Sequence, residues 1–327
     1  MRRGETVDRP QQVWPRISVI IPTCDRSEDL RRCLRSLTSV AYTNWEVLVI
    51  DQSPNDGARE AVADFEDALP SLAYRRLTVK GLSRARNLGS RLASGDLIAF
   101  VDDDCTVEPD WLQTIAAAFE RHPGVALVCG TVLSALDLRT AYVPEYHVSE
   151  EREVIGNLTT RHVGIGASMY LSREAADQVG QWDDHLGSGA RFKSAEDWDY
   201  SFRLLRRGYL ALVTPAIVVH HFGGRSYADN AARALWRNIA YSQGAMHMKH
   251  LRCGDLVALI WILAAVRSHV STVRPLNLLR RGQSSHLARV VFYLRGLVSS
   301  FALPVDRRHR VYVDSRHPVE EWQAVAV

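Results

Sequence analysis

Short runs of apolar residues alternate with amphipathic stretches over the first 135 residues of the chain. Four runs, at 17–21, 45–50, 97–101 and 125–129, are apolar almost without interruption, which is typical of strands buried on both faces of a parallel sheet. Between them, apolar residues recur at the spacing of a helix face, first at Leu30, Cys33, Leu34 and Leu37 and then at Leu112, Ile115, Ala116 and Phe119. This alternation predicts an α/β fold with a Rossmann-like, mostly parallel sheet flanked by helices.

The pattern changes after residue 135. A polar stretch at 136–162 predicts a long loop, and a strand broken by glycine follows at 163–171. A helix face and two further apolar runs come next, at Trp198, Phe202 and Leu205, then at 210–213 and 217–221. From residue 230 onward the spacing predicts a C-terminal extension of two or three helices.

Composition narrows the class of protein. The chain has 327 residues and a formal net charge of +3, a margin too small to indicate nucleic-acid binding. Five scattered cysteines form no Cys-x-x-Cys pair, so we expect reduced thiols and no cysteine-based zinc site. The start lacks the apolar stretch of a signal peptide, and the longest apolar run, at 256–266, is too short to cross a membrane. We therefore expect a cytoplasmic protein.

Three consecutive carboxylates follow the strand at 97–101. Ligands of α/β proteins bind beyond the carboxyl ends of the strands, and Asp102, Asp103 and Asp104 stand at that edge. Aspartate oxygens suit Mg²⁺ or Mn²⁺ held together with substrate phosphates. The alternative is a solvated acidic loop ahead of the helix that begins near Pro109.

Two other segments have residues suited to a nucleotide. Asp51 ends the second strand and can accept hydrogen bonds from a base or a ribose, or can instead form an Asx turn. Arg84, Arg86 and Asn87 lie in Gly-Leu-Ser-Arg-Ala-Arg-Asn-Leu-Gly at 81–89, where a solvated helix is the alternative. The first strand is followed by neither a dinucleotide-binding glycine motif nor a P-loop, which argues against an oxidoreductase or a P-loop phosphotransferase.

The second half of the chain contains candidates for a base and a metal ligand. Asp197, next to Glu196, could act as a general base, although Ser194 and Asp197 also fit a helix capping box. His220 and His221 end an apolar run and point to opposite faces, so one of the two could complete a metal site begun by Asp104.

Taken together, these motifs resemble the family 2 inverting glycosyltransferases of the GT-A fold. The resemblance covers residues 15–228 and rests on Ile-Ile-Pro-Thr, Gly-Leu-Ser-Arg-Ala-Arg-Asn, Phe-Val-Asp-Asp-Asp, Glu-Asp and Val-Val-His-His, in the family's order. It implies a GT-A catalytic domain with a nucleotide-sugar-binding half at 15–135 and an acceptor-binding half at 136–228. A tail at 1–14 precedes this domain, and a C-terminal helical region at 229–327 follows it.

The resemblance also implies roles for individual residues. Asp102 and Asp104 match the family's Asp-x-Asp motif, and Asp104 with His221 would hold Mn²⁺ or Mg²⁺ against the donor diphosphate. His220 is the alternative ligand, and Asp197 matches the base. The expected substrate-binding residues are Thr23, Asp25, Asp51, Arg84, Asn87, Asp102, Asp103, Gly166, Ala167, Trp182 and Glu196.

The function implied is a metal-dependent, inverting transfer of a hexose from a nucleoside-diphosphate sugar to an acceptor hydroxyl. UDP- or dTDP-sugars are the favoured donors, and His-x-Gly-Gly-x-Ser at 221–226 is similar to rhamnosyltransferase-like members. The acceptor would be a saccharide, a lipid-linked molecule or a small metabolite. A noncatalytic nucleotide-sugar sensor or assembly partner is the main alternative. A nucleotidyltransferase is disfavoured because no glycine-rich, lysine-containing loop follows the first strand.

The C-terminal helices allow two interpretations. One apolar face comprises Leu256, Leu259, Ile260 and Leu263, and a second comprises Val290, Val291, Leu294, Leu297 and Val298. Packing of both faces on the catalytic domain is the first interpretation. The second is peripheral contact with the inner face of the cell membrane, because arginines far outnumber acids in this region.

Overall fold

The computed structural model describes residues 14–156, 163–228, 230–271 and 286–313. Strands and helices alternate through the first half, as the sequence predicts. They are β1 (Ile17–Thr23), α1 (Ser27–Leu37), β2 (Trp45–Asp51), α2 (Gly57–Ala63), β3 (Leu72–Arg76), α3 (Leu82–Leu92), β4 (Leu97–Phe100), β5 (Cys105–Val107), α4 (Trp111–Arg121) and β6 (Val125–Ser134).

The second half adds short strands, three longer helices and the remaining strands of the main sheet. They are β7 (Ala141–Tyr142), β8 (Arg152–Val154), β9 (Met169–Ser172), α5 (Arg173–Val179), α6 (Glu196–Arg206), β10 (Leu210–His221), β11 (Arg225–Ser226), α7 (Ala231–Arg252), α8 (Val257–Ser271), α9 (His286–Ser299), β12 (Val305–Asp306) and β13 (Val311–Tyr312).

The main sheet has the strand order β3-β2-β1-β4-β9-β6-β10-β5, and β8 pairs with β10. The strands β3, β2, β1 and β4 are parallel neighbours, as are β6 and β10. The strand β9 lies antiparallel between β4 and β6 and joins the two groups. The predicted α/β class, with a central sheet flanked by helices, is confirmed.

Both faces of the sheet are covered by helices, which explains the uninterrupted apolar runs. Ile17, Val19 and Ile21 of β1 face a core formed with α1, α2 and α4, whereas Ile20 faces a second core formed with α3, α5 and α6. Because successive side chains of a strand point to opposite faces, a strand buried on both sides has no polar positions to alternate.

Several predicted elements differ in detail from those observed. The segment 163–171 contains a 3-10 turn at Gly166–Ser168, directly before β9. The two runs at 210–213 and 217–221 form one strand, β10, with an irregularity between Val213 and Val218. The predicted loop contains β7 and β8, and residues 157–162 lie outside the described part of the chain.

The C-terminal helices pack on the rest of the chain through α7. A buried cluster joins Lys249 of α7 to Asp183 and to Asp199 of α6. The helices α8 and α9 pack against α7 through Ala265 and Tyr293. The two apolar faces that the sequence identifies do not pack on the rest of the described chain. Most of their members are exposed, and the opposite sides of the helices are buried instead. Within the described ranges, no helix is long and apolar enough to cross a bilayer.

Candidate active site

A cleft of about 490 Å³ opens at the carboxyl ends of β1 and β4. It is lined by Thr23 at the end of β1, by Asp102, Asp103 and Asp104 after β4, and by residues of β10 and α6. The convergence of strand ends at one edge, predicted from the sequence, is observed. The predicted residues that line the cleft are Thr23, Asp102, Asp103, Asp104, Gly166, Ala167, Glu196, Asp197 and His221.

The acidic cluster is buried and tightly bonded. Asp103 accepts a hydrogen bond of 2.7 Å from the Thr23 hydroxyl, and burial raises the pKa of Asp103 to about 7. The Arg26 guanidinium lies 2.6 Å from Asp104 Oδ2 and 3.2 Å from Asp103 Oδ1. The alternative of a solvated acidic loop is therefore wrong for Asp103 and Asp104, each only 4% exposed.

The two histidines at the end of β10 have different environments. His221 is buried, and its Nε2 lies 3.1 Å from Asp104 Oδ1. Its Nδ1 lies 3.1 Å from the carbonyl oxygen of Pro144, which as an acceptor fixes the hydrogen on Nδ1 and leaves Nε2 as the nitrogen facing Asp104. His220 points away from the cleft and contacts Glu108. Of the two, the structure brings only His221 to the acidic cluster.

The donor set at Asp104 fits a divalent cation. Ligand atoms of Asp104, Cys105 and His221 lie within 4.8 Å of one another, and a Cβ at Gly223 would collide with both Asp104 and His221. Carboxylate and imidazole donors are those that Mn²⁺ accepts. Burial raises the pKa of Cys105 well above its usual value, so its thiol is a poorer ligand than the other two. Asp102 lies outside this group of atoms among the described residues.

Arg86 joins the acidic cluster to the start of α6. This buried guanidinium lies 3.1 Å from Asp102 Oδ1 and 3.4 Å from Glu196 Oε1. Gly166 is pressed against Arg86, and a Cβ at this position would overlap the guanidinium. Burial raises the pKa of Glu196 to about 7. Arg86 therefore holds two acids from different segments on one side of the cleft.

Asp197 occupies the first turn of α6 at the cleft wall. Its Oδ2 accepts a hydrogen bond of 3.0 Å from the Gly166 amide, and its Oδ1 accepts one of 2.8 Å from the Trp198 amide. Burial raises its pKa, and the two amide hydrogen bonds and Arg86 offset part of that effect. The residue that caps the helix is Ala195, which has a left-handed conformation with φ of 73° and provides no side-chain cap. The capping-box interpretation of Ser194 and Asp197 is therefore wrong.

Five predicted substrate-binding residues do not line the cleft: Asp25, Asp51, Arg84, Asn87 and Trp182. The Asp51 carboxylate is buried and accepts hydrogen bonds from the Ser53 amide, as in an Asx turn, and from the Tyr74 hydroxyl. Asp25 is bonded to Lys80 near the rim. Their predicted contacts with a nucleoside stay predictions.

The other three belong to the structure around the cleft. Asn87 donates to the carbonyl of Trp182 and accepts from its amide, so the pair fixes the turn that follows α5. The Trp182 ring is buried, stacks on Tyr200 and lies 4.8 Å from the Arg86 guanidinium. Arg84 is only partly buried, whereas Arg86, in the same motif, faces the cleft.

The sequence analysis missed several residues of the cleft. Arg26, Gln52, Lys80, Tyr142, Lys193, Leu235 and Ile239 all contribute to its lining. Arg26 follows β1 closely, so its position at a strand end is a signal that could have identified it. Leu235 and Ile239 come from α7, and their approach depends on how the C-terminal region folds back.

Two solved structures with bound nucleotides share this fold. A mannosyltransferase from Pyrobaculum calidifontis, solved with GDP-Man and Mn²⁺, has a TM-score of 0.56 at 18% identity over 89% of this chain and 88% of the other. Residues 1–349 of TarS from S. aureus, solved in complex with UDP, have a TM-score of 0.53 at 19% identity. The match covers 70% of this chain and 65% of the other. The fold of this chain is therefore the GT-A fold.

The family follows from the sequence comparison. Residues 18–180 match the model of Glycosyl transferase family 2, and the chain belongs to this family. The glycosyltransferase AglE of Haloferax volcanii is 30% identical over 198 residues, which are 57% of this chain and 63% of AglE. The glucosyl-dolichyl phosphate glucuronosyltransferase of the same organism is 25% identical over 73% of this chain and 80% of the relative. The chain thus spans less than two thirds of the length of AglE.

Proposed function

We propose that this chain transfers a hexose from a nucleoside-diphosphate sugar to an acceptor hydroxyl, with inversion at the anomeric carbon and with Mn²⁺ or Mg²⁺ as cofactor. The observation that carries the proposal is one cleft that holds both a buried Asp104–His221 pair and the carboxylate of Asp197. A donor diphosphate and an acceptor hydroxyl need these two kinds of group on opposite sides of the reacting carbon.

Asp104 and His221 are the residues that would hold the metal, and Asp102 is a further candidate at the same edge. A bound divalent ion neutralises charge on a diphosphate leaving group. Arg26 supplies positive charge at the same carboxylates, and its partly exposed side chain lines the cleft. The guanidinium is therefore suited to pair with a donor phosphate as well as with Asp104.

Asp197 is the proposed general base. The Gly166 and Trp198 amides fix both carboxylate oxygens, so the group is oriented before the substrate arrives. A base of this kind removes a proton from the acceptor hydroxyl as that oxygen attacks the anomeric carbon. One displacement inverts the configuration, and no carboxylate nucleophile is needed. Arg86 keeps Glu196 beside Asp197 and limits the repulsion between the two acids.

The identity of the substrates is proposed from the neighbours. The similar structures hold UDP, UDP-GlcNAc and GDP-Man, which supports a nucleotide-sugar donor. We favour a UDP- or dTDP-hexose. A relative is named for action on glucosyl-dolichyl phosphate, which supports a lipid-linked acceptor over a free saccharide or metabolite. All five cysteines are free, which supports a reducing, cytoplasmic setting.

A panel of nucleotide sugars tests the proposal. Thermal shift with Mn²⁺ and with chelator identifies the donor, because a ligand that binds only the folded state raises its stability. Product analysis then separates the functions: a glycosyltransferase releases nucleoside diphosphate, a nucleotidyltransferase releases pyrophosphate, and a sensor binds without turnover. We expect release of nucleoside diphosphate. If the donor binds but no tested acceptor leads to release of nucleoside diphosphate, the sensor is favoured.

The variant Asp197→Asn separates catalysis from binding. It preserves the size of the side chain and one of its two acceptor oxygens, so donor binding should stay unchanged while transfer falls by about 10²- to 10⁴-fold. Asp177→Asn, on the exposed side of α5, is the matched control and should leave both unchanged. Normal turnover by Asp197→Asn would exclude Asp197 as the base.

A further inference from the structure

The outer sides of α8 and α9 expose a large apolar surface. On α8, Leu256, just before the helix, is 74% exposed and Leu263 is 63% exposed, with Leu259 and Ile260 between them. On α9, Val298 is 71% exposed, and Leu287, Val291 and Leu294 are also exposed. We call these eight residues the outer apolar surface. Isolated exposed leucines are ordinary, but a helix side made of them marks a contact surface.

The surface is on the side away from the core, and the inner sides of the same helices already have their partners. Ala258, Trp261 and Ala265 of α8 are buried, as is Tyr293 of α9. Trp261 packs edge-on against Phe202 of α6. One side of each helix is therefore buried in the fold, and the other side is apolar and exposed. Such an exposed apolar surface lowers solubility unless a partner covers it.

The charged residues in the sequence of this region are all basic. Residues 256–305 include six arginines (Arg267, Arg274, Arg280, Arg281, Arg289 and Arg295) and no lysine, aspartate or glutamate. Among the described ones, Arg267 and Arg295 are exposed. A helix that combines a broad apolar side with arginines is suited to the boundary between lipid head groups and acyl chains. A protein partner would have to offer apolar and acidic groups together, whereas an anionic bilayer offers both everywhere.

The lengths of the helices fit a position on the membrane surface. The helix α8 has 15 residues, so it extends about 22 Å, against the roughly 30 Å of a bilayer core. Inserting its outer side to the depth of the acyl chains requires no broken backbone hydrogen bond, because both helices stay intact.

The same surface is connected to the active-site cleft. The first half of α7 lines the cleft through Leu235 and Ile239, and Trp236 between them packs on Tyr142, which also lines it. The guanidinium of Arg289, near the start of α9, lies 4.4 Å from the Trp236 ring. Helix α9 thus begins next to the wall of the cleft that α7 and β7 build.

We propose that the outer apolar surface of α8 and α9 binds an anionic lipid bilayer and brings the cleft to an acceptor that is anchored in that bilayer. The partner is the membrane surface itself, recognised by apolar insertion and by arginine contact with acidic head groups. The proposal rests on the glycosyltransferase function for its acceptor, but its binding step is independent of the activity.

Vesicle flotation with the full chain tests the binding step. Vesicles of phosphatidylcholine with phosphatidylglycerol are compared with phosphatidylcholine alone, at low and at high salt. We expect flotation with the anionic vesicles, weakened by salt. Leu259→Gln/Leu263→Gln should lose most of the bound fraction, and Arg267→Gln/Arg295→Gln should lower affinity for anionic vesicles about fivefold per arginine. Leu138→Gln, at an exposed leucine in the β6–β7 connection, is the control and should float like the unaltered chain.

The outcomes distinguish this proposal from the proposed function. Nucleotide-sugar binding is measured on the same variants without lipid, and it should be unchanged in all of them. Vesicle binding without any nucleotide-sugar binding would uphold the membrane contact and refute the donor. The absence of flotation at low salt would overturn the membrane proposal. So would a dimer, in the absence of lipid, that Leu259→Gln/Leu263→Gln dissociates, because it would assign the surface to a second copy of the chain.

Discussion

Lys249 is the most sharply testable residue for stability, because it lies fully buried between two carboxylates. Its Nζ is 2.6 Å from Asp183 Oδ2 and 2.6 Å from Asp199 Oδ1, and all three side chains are 0% exposed. Burial favours the neutral acids, yet Lys249 and the neighbouring hydrogen bonds outweigh it and hold the pKa values of both aspartates below their usual value. The variant Lys249→Met keeps the apolar length and removes the charge.

The structure sets the size of the expected loss. Breaking a buried ion pair by removing one partner costs about 3–5 kcal/mol. Asp199 keeps Arg203 at 2.9 Å and His250 at 2.8 Å, so it remains compensated. Asp183 keeps mainly the Tyr312 amide at 2.9 Å and the His185 amide at 3.0 Å, and therefore bears most of the cost. We expect about 3 kcal/mol, the lower end of the range.

The effect should depend on pH. The lowered pKa values of Asp183 and Asp199 stabilise the unaltered chain above the unfolded-state pKa, and this stabilisation is lost as the pH falls through the folded-state values. In Lys249→Met the pKa of Asp183 rises, since its main cation is gone, and the acid can take up a proton at mildly acidic pH. The difference in stability between the two chains should therefore shrink as the pH falls.

Urea unfolding followed by tryptophan fluorescence measures this difference at neutral and at mildly acidic pH. Arg139→Met, which removes an exposed ion pair with Asp137, is the matched control and should cost less than about 1 kcal/mol. Asp183→Asn/Lys249→Met should recover part of the loss, because the uncompensated charge is gone. A change below about 1 kcal/mol in Lys249→Met, or a loss independent of pH, would refute the reasoning.

Three further predictions concern the cleft. His221→Ala should weaken Mn²⁺ binding, measured by calorimetry, by about 100-fold. His220→Ala, outside the cleft, should leave Mn²⁺ binding unchanged, and equal effects of the two variants would contradict the assignment of His221. Gly166→Ala should displace the Arg86 guanidinium and lower kcat/KM by about 100-fold, while circular dichroism shows that the fold is retained. An unchanged kcat/KM would show that Arg86 can move without loss of activity. The value of kcat/KM should rise with pH, with an apparent pKa above the usual aspartate value, because burial raises the pKa of Asp197. An apparent pKa at the usual aspartate value would contradict this.

The parts of the fold that were predictable are those with a strong local pattern. The strands β1, β2 and β4 are buried on both faces, and the runs of apolar residues alone predict their positions. The strands β3 and β5 were not predicted, because Leu-Ala-Tyr-Arg-Arg is only partly buried at the sheet edge and Cys-Thr-Val has three residues. Their strand conformation depends on pairing with β2 and β10, which local sequence does not encode.

Helical periodicity distinguishes the two arginines of the 81–89 motif, of which the sequence analysis selected Arg84 as a substrate-binding residue. Ser83, Arg86 and Asn87 are spaced three and four residues apart, so they share one face of α3, and all three are buried. Arg84 lies about 100° around the helix from Ser83 and is only partly buried. The spacing therefore favours Arg86 as the residue that lines the cleft, whereas side-chain chemistry alone does not distinguish it from Arg84.

The C-terminal region illustrates what local patterns cannot give. Asp183, Asp199 and Lys249 are far apart in the sequence, and each would be interpreted alone as a surface charge. In the fold, Lys249 and His250 of α7 both contact the carboxylate of Asp199 in α6, two residues after Asp197. The other half of α7 lines the cleft, and its sides carry α8 and α9. One helix thus links the proposed base, the cleft wall and the proposed membrane surface, so the helical region is built into the active site instead of being appended to it.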